Sequence, residues 1–297
     1  MSSYLLFRTD RIGDFLLSAV LINSIKRNDP NSIITVVSSI KNYEYIKSFD
    51  CVDEVIMLKN NFLGKVKLIR KLRSNYYDYV ITHDQKKRSF IISFFLKYGY
   101  KIKVNKNSNI SYIDGIQKIL SKLNFNLSNL DLNTLSHRDY NSTKLYNNNF
   151  VLLHFDEKWI YESYISEYTN IEPSKNELLR FINLLLLKSN KEIIITTGIS
   201  CPLVLTDILK ENFNHKIKIY EKLNFFALEE VVSKSSLLIS CHGSISHVAA
   251  AHNIRQIDII EKNKASFYLR WTKHFRNYEP LFRKKFHVLS MEIINLL

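Results

Sequence analysis

Short apolar runs alternate with longer stretches of helical period along the whole chain. Strands are predicted at 4–8, 33–38, 54–58, 78–82 and 101–104, and helices at 14–28, 62–74, 88–98 and 111–123, with Pro30 closing the first helix. Residues 124–149 are rich in Asn, Ser and Thr, lack a period, and read as a linker. Strand 150–154 opens a second series: helix 174–188, strand 192–197 ending at Gly198, helix 202–212, strand 216–220, helix 225–235, strand 236–240, a helix from 246 and strand 256–260. Strands alternating with helices imply parallel sheets. The pattern therefore predicts an α/β protein of two Rossmann-like domains, 1–124 and 150–297, facing a common cleft.

Composition agrees. The chain has 297 residues, against a typical domain of about 150, and 46% are hydrophobic, enough for two cores. No apolar stretch reaches the ~18 residues of a membrane span. Arg8, Asp10, Arg11 and Asp14 interrupt what would be the apolar region of a signal peptide. Cys51, Cys201 and Cys241 are widely spread without metal-ligand spacing, which fits a reduced, cytoplasmic protein.

Charge changes the picture more. The formal net charge is +14, which calls for nucleic acid, anionic lipid or an acidic substrate as a partner. Seven basic residues and no acid lie between Lys86 and Asn107, and eight against Glu279 alone between Lys262 and Lys285. A lysine-rich solvated surface is the plainer reading, but it accounts less well for acid-free runs.

Two segments carry candidate chemistry. Arg8-Thr9-Asp10-Arg11-Ile12-Gly13-Asp14 follows the first strand, and His242-Gly243-Ser244-Ile245-Ser246-His247 follows strand 236–240. Each reads as strand, glycine turn and helix start, a geometry that aims backbone N–H groups beyond the carboxyl end of a parallel sheet. Gly13 permits the tight turn. Asp14, in the first helical turn, is stabilised by the helix dipole. Asp14 as a helix cap and Asp10 as an arginine partner is the competing view. Ser244 and Ser246 are placed to cap the later helix, whose free N–H groups suit a diphosphate; His242 and His247 as structural histidines is the alternative.

The pattern Arg-x-Asp-x-Ile-Gly-Asp, paired with a late small-residue turn ending in His-x-Ala-Ala-Ala, resembles the family 9 glycosyltransferases, the ADP-heptose:lipopolysaccharide heptosyltransferases and their relatives. The resemblance implies a GT-B arrangement, in which the final helix can pack back on the first domain, and a proposed general base at Asp14, with Asp10 second. It departs at the late motif. The family's Asp-Ser-Gly or Asp-Thr-Gly becomes His242-Gly243-Ser244, so a histidine stands where an aspartate would contact the donor sugar. That favours a sugar other than heptose, an anionic one among them. In His154-Phe155-Asp156-Glu157-Lys158-Trp159, Lys158 resembles the family's phosphate-contacting lysine; a solvated loop lysine is the alternative. Thr197 and Gly198 are expected to line the nucleotide pocket, and Glu221 or Glu261 to hold a ribose hydroxyl. Arg8, Arg11, Lys86, Lys87 and Arg88 are expected to dock an anionic acceptor.

Other chemistries lack their motifs. There is no Asp-x-Asp pair for a metal-dependent transferase, no Gly-x-Gly-x-x-Gly after a strand, no Gly-x-Ser-x-Gly elbow and no Walker loop. The expectation is an inverting, metal-independent glycosyltransferase with no cofactor. It would use a nucleotide-sugar donor and a lipopolysaccharide, lipooligosaccharide or capsule acceptor, held peripherally at an anionic membrane on the inner face of the cytoplasmic membrane. The competing class is a basic nucleic-acid-binding module, for which Phe267-Tyr268-Leu269-Arg270-Trp271 interleaves aromatics with a cation.

Overall fold

A computed structural model describes residues 1–104, 110–134, 149–160, 167–209 and 215–297. The chain divides into two compact units, 1–138 and 139–297. In the first, β1 (Ser3–Arg8), α1 (Ile12–Asn28), β2 (Ile33–Ser38), α2 (Tyr43–Lys47), β3 (Glu54–Met57), α3 (Phe62–Arg73), β4 (Tyr76–Thr82), α4 (Lys87–Phe94), β5 (Lys97–Lys103) and α5 (Tyr112–Lys122) follow in order. The strands form a parallel sheet in the order β3-β2-β1-β4-β5. Helix α1 is buried from Phe15 to Ile25 without a break because it lies between β1 and α5, and Ser18 and Ser24 within it are hydrogen-bonded. Right-handed crossovers run outward in opposite directions from β1, so α3 and α4 share the sheet face opposite α1. Leu68 and Leu72 of α3 and Ile92 of α4 accordingly share one cluster with Leu5 and Phe7 of β1.

The second unit contains β6 (Phe150–His154), α6 (Lys175–Ser189), β7 (Glu192–Thr196), α7 (Leu203–Leu209), β8 (Ile217–Tyr220), α8 (Phe225–Lys234), β9 (Leu237–Cys241), α9 (Ser244–Ala251), β10 (Arg255–Ile260), α10 (Ala265–Thr272), β11 (Tyr278–Phe282) and α11 (Phe286–Asn295). Its parallel sheet has the order β11-β10-β9-β6-β7-β8. The helix starts follow local sequence: Ser174 and Glu177 form a capping box on α6, and Asn190 ends that helix at φ 51°.

Several expectations are corrected. Part of the expected linker is built into the first unit, because Asp131 accepts bidentate bonds from Arg27 at 2.9 Å and one from Ser24 at 2.9 Å. The remainder, 135–148, lies outside the described residues, as do 105–109 with Lys106 and the end of the expected helix 202–212. The helix expected to reach residue 98 stops at Phe94, and Lys97 already pairs with Tyr76 as an edge strand. The final helix buries Phe286, Leu289, Ile293 and Ile294 in the core of its own unit. The pattern misses β11, which carries Pro280; proline is tolerated because this is an edge strand with β10 on one side only.

Candidate functional sites

Each sheet has one point where the strand order reverses from its first strand, between β1 and β4 in the first unit and between β6 and β9 in the second. Loops leaving the carboxyl ends of adjacent strands part there and open a crevice, the usual ligand position in such sheets.

At the first crevice, Arg8 is buried at the end of β1 and donates to Asp10 at 2.9 Å and to Ser18 of α1 at 2.6 Å. The Ser18 hydroxyl also bonds His83 Nδ1 at 2.7 Å, and burial together with the Arg8 charge holds that imidazole neutral. Asp84, after β4, accepts from the Thr9 hydroxyl at 2.6 Å and from Ser89 at 2.6 Å. Arg88 donates to the Thr9 carbonyl at 2.6 Å and to Asn60 at 2.9 Å. Thus β1, β4 and α4 are bolted together by buried, charge-assisted bonds that fix the intervening loop.

That loop borders a pocket of about 330 Å³ lined by Asp10 and Asp14 among Arg11, Lys41, Lys86 and Arg88. Asp14 accepts the Arg11 backbone N–H at 3.2 Å, so it does cap α1, and it faces the pocket as well. Burial, and secondarily the nearby Asp14 and Asp84 charges, push Asp10 up to about 6 despite its Arg8 partner. Arg8 acts from beneath the pocket and is not among its lining residues; Lys87 is exposed and likewise not among them. Lys41, Asn60, Asp84 and His83 were not legible as site residues. Only Asp84 has a sequence signal, an acid directly beyond a strand.

At the second crevice three loops converge. The Lys158 ammonium pairs with Asp156, and a Cβ on Gly243 would come within 2.8 Å of it, so that glycine is what lets the lysine lie against the start of α9. Burial opposes charge on Lys158, but Asp156 outweighs it and raises the lysine above its usual range. A Cβ on Gly198 would overlap the Glu157 carboxylate, so Gly198 likewise admits this loop. The buried Arg283 guanidinium donates to the Lys158 carbonyl at 2.8 Å and to the Thr169 carbonyl at 3.1 Å, fixing the lysine's backbone.

The late motif is organised by Asp258 of β10. Fully buried, its carboxylate receives His242 Nδ1 at 2.6 Å, the Ser246 hydroxyl at 2.8 Å and the Tyr278 hydroxyl at 3.0 Å. The imidazole of His242 is thereby held with Nδ1 inward, its ring packed edge-on to Tyr268. Asp258 was overlooked although a lone acid in Gln256-Ile257-Asp258-Ile259-Ile260 is a visible exception in a buried strand.

Three expectations for this motif change. The helix begins at Ser244 with Gly243 as its cap, two residues earlier than expected. Ser246 is fully buried, donates to Asp258 and accepts the Gly243 N–H at 3.2 Å, so it caps α9 from the third helical position and is not the residue preceding the helix. His247 is buried among Phe275, Trp271 and His242, and burial with the neighbouring histidines His242 and His274 keeps it neutral, the structural reading. Outside the motif, Thr197 accepts the Lys222 N–H at 3.0 Å and Glu261 accepts the Thr169 N–H at 2.7 Å. Among the described residues no cluster of His, Cys, Asp or Glu has a metal-holding arrangement.

No family model matches this chain, and no curated relative does. Solved structures do match over its whole length. The chain superimposes on E. coli heptosyltransferase WaaC with ADP at TM-score 0.72 and 13% identity, covering 99% of this chain and 100% of that one. A family 9 glycosyl transferase from Veillonella parvula matches at TM-score 0.67 and 13% identity, over 99% of this chain and 91% of its own. A putative UDP-N-acetylglucosamine 2-epimerase from Listeria monocytogenes matches at TM-score 0.61 and 12% identity, over 99% and 87%. The two-unit, parallel-sheet α/β fold of this chain is that of the heptosyltransferases and the 2-epimerases alike.

Proposed function

We propose that this protein is an inverting, metal-independent glycosyltransferase that moves a sugar from a nucleotide-sugar to a bacterial surface glycan, such as lipopolysaccharide core, lipooligosaccharide or capsule. The observation that carries the reading is the pocket at the first crevice, where Asp10 and Asp14 lie among four cations. Carboxylates for proton removal and cations for an anionic acceptor are what glycosyl transfer requires on the acceptor side.

In this reading Asp14 takes the proton of the acceptor hydroxyl as the oxygen bonds to the anomeric carbon. The bond from that carbon to the diphosphate oxygen breaks on the opposite face, and the nucleoside diphosphate leaves with the electron pair. Asp10 holds Arg8 and Arg11 holds the first helical turn, so the base keeps its place. On the donor side, Lys158 and the N–H groups opening α9 meet the diphosphate, where negative charge grows in the transition state. His242, oriented by Asp258, presents its outer nitrogen to the donor sugar and selects a group unlike the one an aspartate would choose. Arg11, Lys41, Lys86 and Arg88 receive the acceptor's anionic groups.

The nucleic-acid alternative loses its main support. Tyr268 is buried and bonded to Tyr168 at 2.8 Å, and Trp271 packs on His247, so two of the three aromatics in that segment are structural and do not form a stacking platform. Thermal shift against a panel of nucleoside diphosphates and cytidine monophosphate tests the proposal. One preferred nucleotide supports it; binding only to oligonucleotides, with strong salt dependence, supports the alternative.

A further inference from the structure

The chain's positive charge is concentrated in one segment of the first unit. Between Leu58 and Val104 there are twelve lysines and arginines against two acids, so this segment holds ten of the fourteen net positive charges. Both acids are engaged internally, Asp78 with Ser3 and Asp84 with Thr9 and Ser89. The segment builds α3 and α4, which cover the same side of the sheet through a shared core. Their outer sides are apolar as well as basic: Phe62 is 78% exposed, Leu63 68% and Phe94 62%. Along α3, Lys65, Lys67, Arg70, Lys71 and Arg73 occur without an acid in the helix, Lys71 pairing with Glu54 of β3 at 2.8 Å, and Phe62 and Leu63 stand at the helix start.

Beside α3 lies a groove of about 320 Å³ with Ile56, Met57 and Leu68 in its wall and Lys59, Lys67 and Lys71 around it. On α4 and β5 the Lys101 ammonium sits 4.0 Å from the Phe90 ring centre and 4.3 Å from that of Phe94. Exposed aromatic and aliphatic groups ringed by cations on a short surface helix are the composition of an interfacial element, which buries its apolar side chains among headgroups and holds anionic lipids with its charges.

We infer that the α3–α4 face docks on a bilayer containing anionic lipids, with Phe62 and Leu63 inserted at the headgroup boundary. The occupant is a membrane and not a nucleic acid because apolar side chains project from among the cations, and a phosphodiester backbone offers nothing for them to enter. The inference goes beyond the transferase reading and does not depend on it.

The test is flotation of the full chain with phosphatidylcholine vesicles with and without phosphatidylglycerol, at low and high salt. Capture by the anionic vesicles alone, released by salt, is expected. The Phe62→Ser/Leu63→Ser variant should lose about tenfold or more of its vesicle affinity, whereas Leu187→Ser/Ile199→Ser, removing exposed apolar groups elsewhere, should lose none. Lys67→Glu/Arg70→Glu should likewise weaken capture about tenfold, and Lys118→Glu/Lys122→Glu on α5 much less. Equal capture by both vesicle types overturns the inference. So does equal loss in the matched controls, or an oligonucleotide that binds tighter than vesicles and is indifferent to Phe62→Ser/Leu63→Ser. Nucleotide binding measured on the same variants keeps the two claims apart, since a failure here leaves the donor reading intact.

Discussion

In the first unit the crevice at the strand reversal is lined by two carboxylates interleaved with cations. In the second, the corresponding crevice presents a helix start, a lysine against a glycine and a histidine braced by a buried aspartate. The two sheets share a plan, and their loops make different uses of it. The arrangement of charged partners separates the two crevices. Asp10 is crowded by other acids and buried, so its proton is held more tightly than usual. Asp156 is also buried, but Lys158 and His154 outweigh that burial and keep it ionised. Burial thus acts on both carboxylates, and their charged partners send the two in opposite directions.

The largest effect that would break this comparison is on turnover. Asp14→Asn should lower kcat by roughly 10²–10⁴ while leaving nucleotide affinity unchanged, the usual size of a general-base contribution. Steady-state kinetics within about threefold of wild type would remove Asp14 and promote Asp10. Next is the donor side. Lys158→Ala should weaken nucleotide-sugar binding by about 1–3 kcal/mol, the cost of a lost charged hydrogen bond, and leave acceptor binding unaltered. Calorimetry showing the reverse partition would exchange the roles assigned to the two units.

A sharper test of the second crevice follows from Asp258. His242→Ala and Asp258→Asn should each weaken donor binding by about 1–2 kcal/mol, and the double variant should lose little more, because both act through one imidazole. Additive losses in a double-mutant cycle would mean that Asp258 supports only the fold.

The smallest effect is a pH dependence. Asp10 is raised from its ordinary value to about 6, so the folded protein binds a proton there that the unfolded chain releases near pH 4. The stability from this group is therefore present below about pH 4 and declines as pH rises through about 6. Activity moves the other way if Asp10 must be charged to hold Arg8. An acid limb near pH 6 in kcat/KM is expected, and Asp10→Asn should remove that limb. An unchanged limb in the variant would assign it to another group.

Much of this was legible in the sequence. Apolar period alone located most strands and helices, because parallel strands buried on both faces leave continuous runs such as Leu237-Leu238-Ile239. Polar segments directly beyond two of those runs located both crevices, although Gly13 proves to be the second residue of α1 and makes no turn. What the chain hid depends on pairing across distance. Nothing local to Asp258 says that His242, Ser246 and Tyr278 converge on it, nor local to Arg283 that it holds the Lys158 loop. Ser246 and His247 fit a ligand site in sequence because the helix start was placed two residues late. Moving it to Ser244 turns both side chains inward.

The central claim is that donor and acceptor chemistry reside in different units, and one titration tests it most directly. The preferred nucleoside diphosphate should be titrated by calorimetry into the wild type, Asp14→Asn and Lys158→Ala. The account predicts a single site, equal affinity in wild type and Asp14→Asn, and about tenfold or greater loss in Lys158→Ala. Loss of binding in Asp14→Asn with full binding in Lys158→Ala would contradict it.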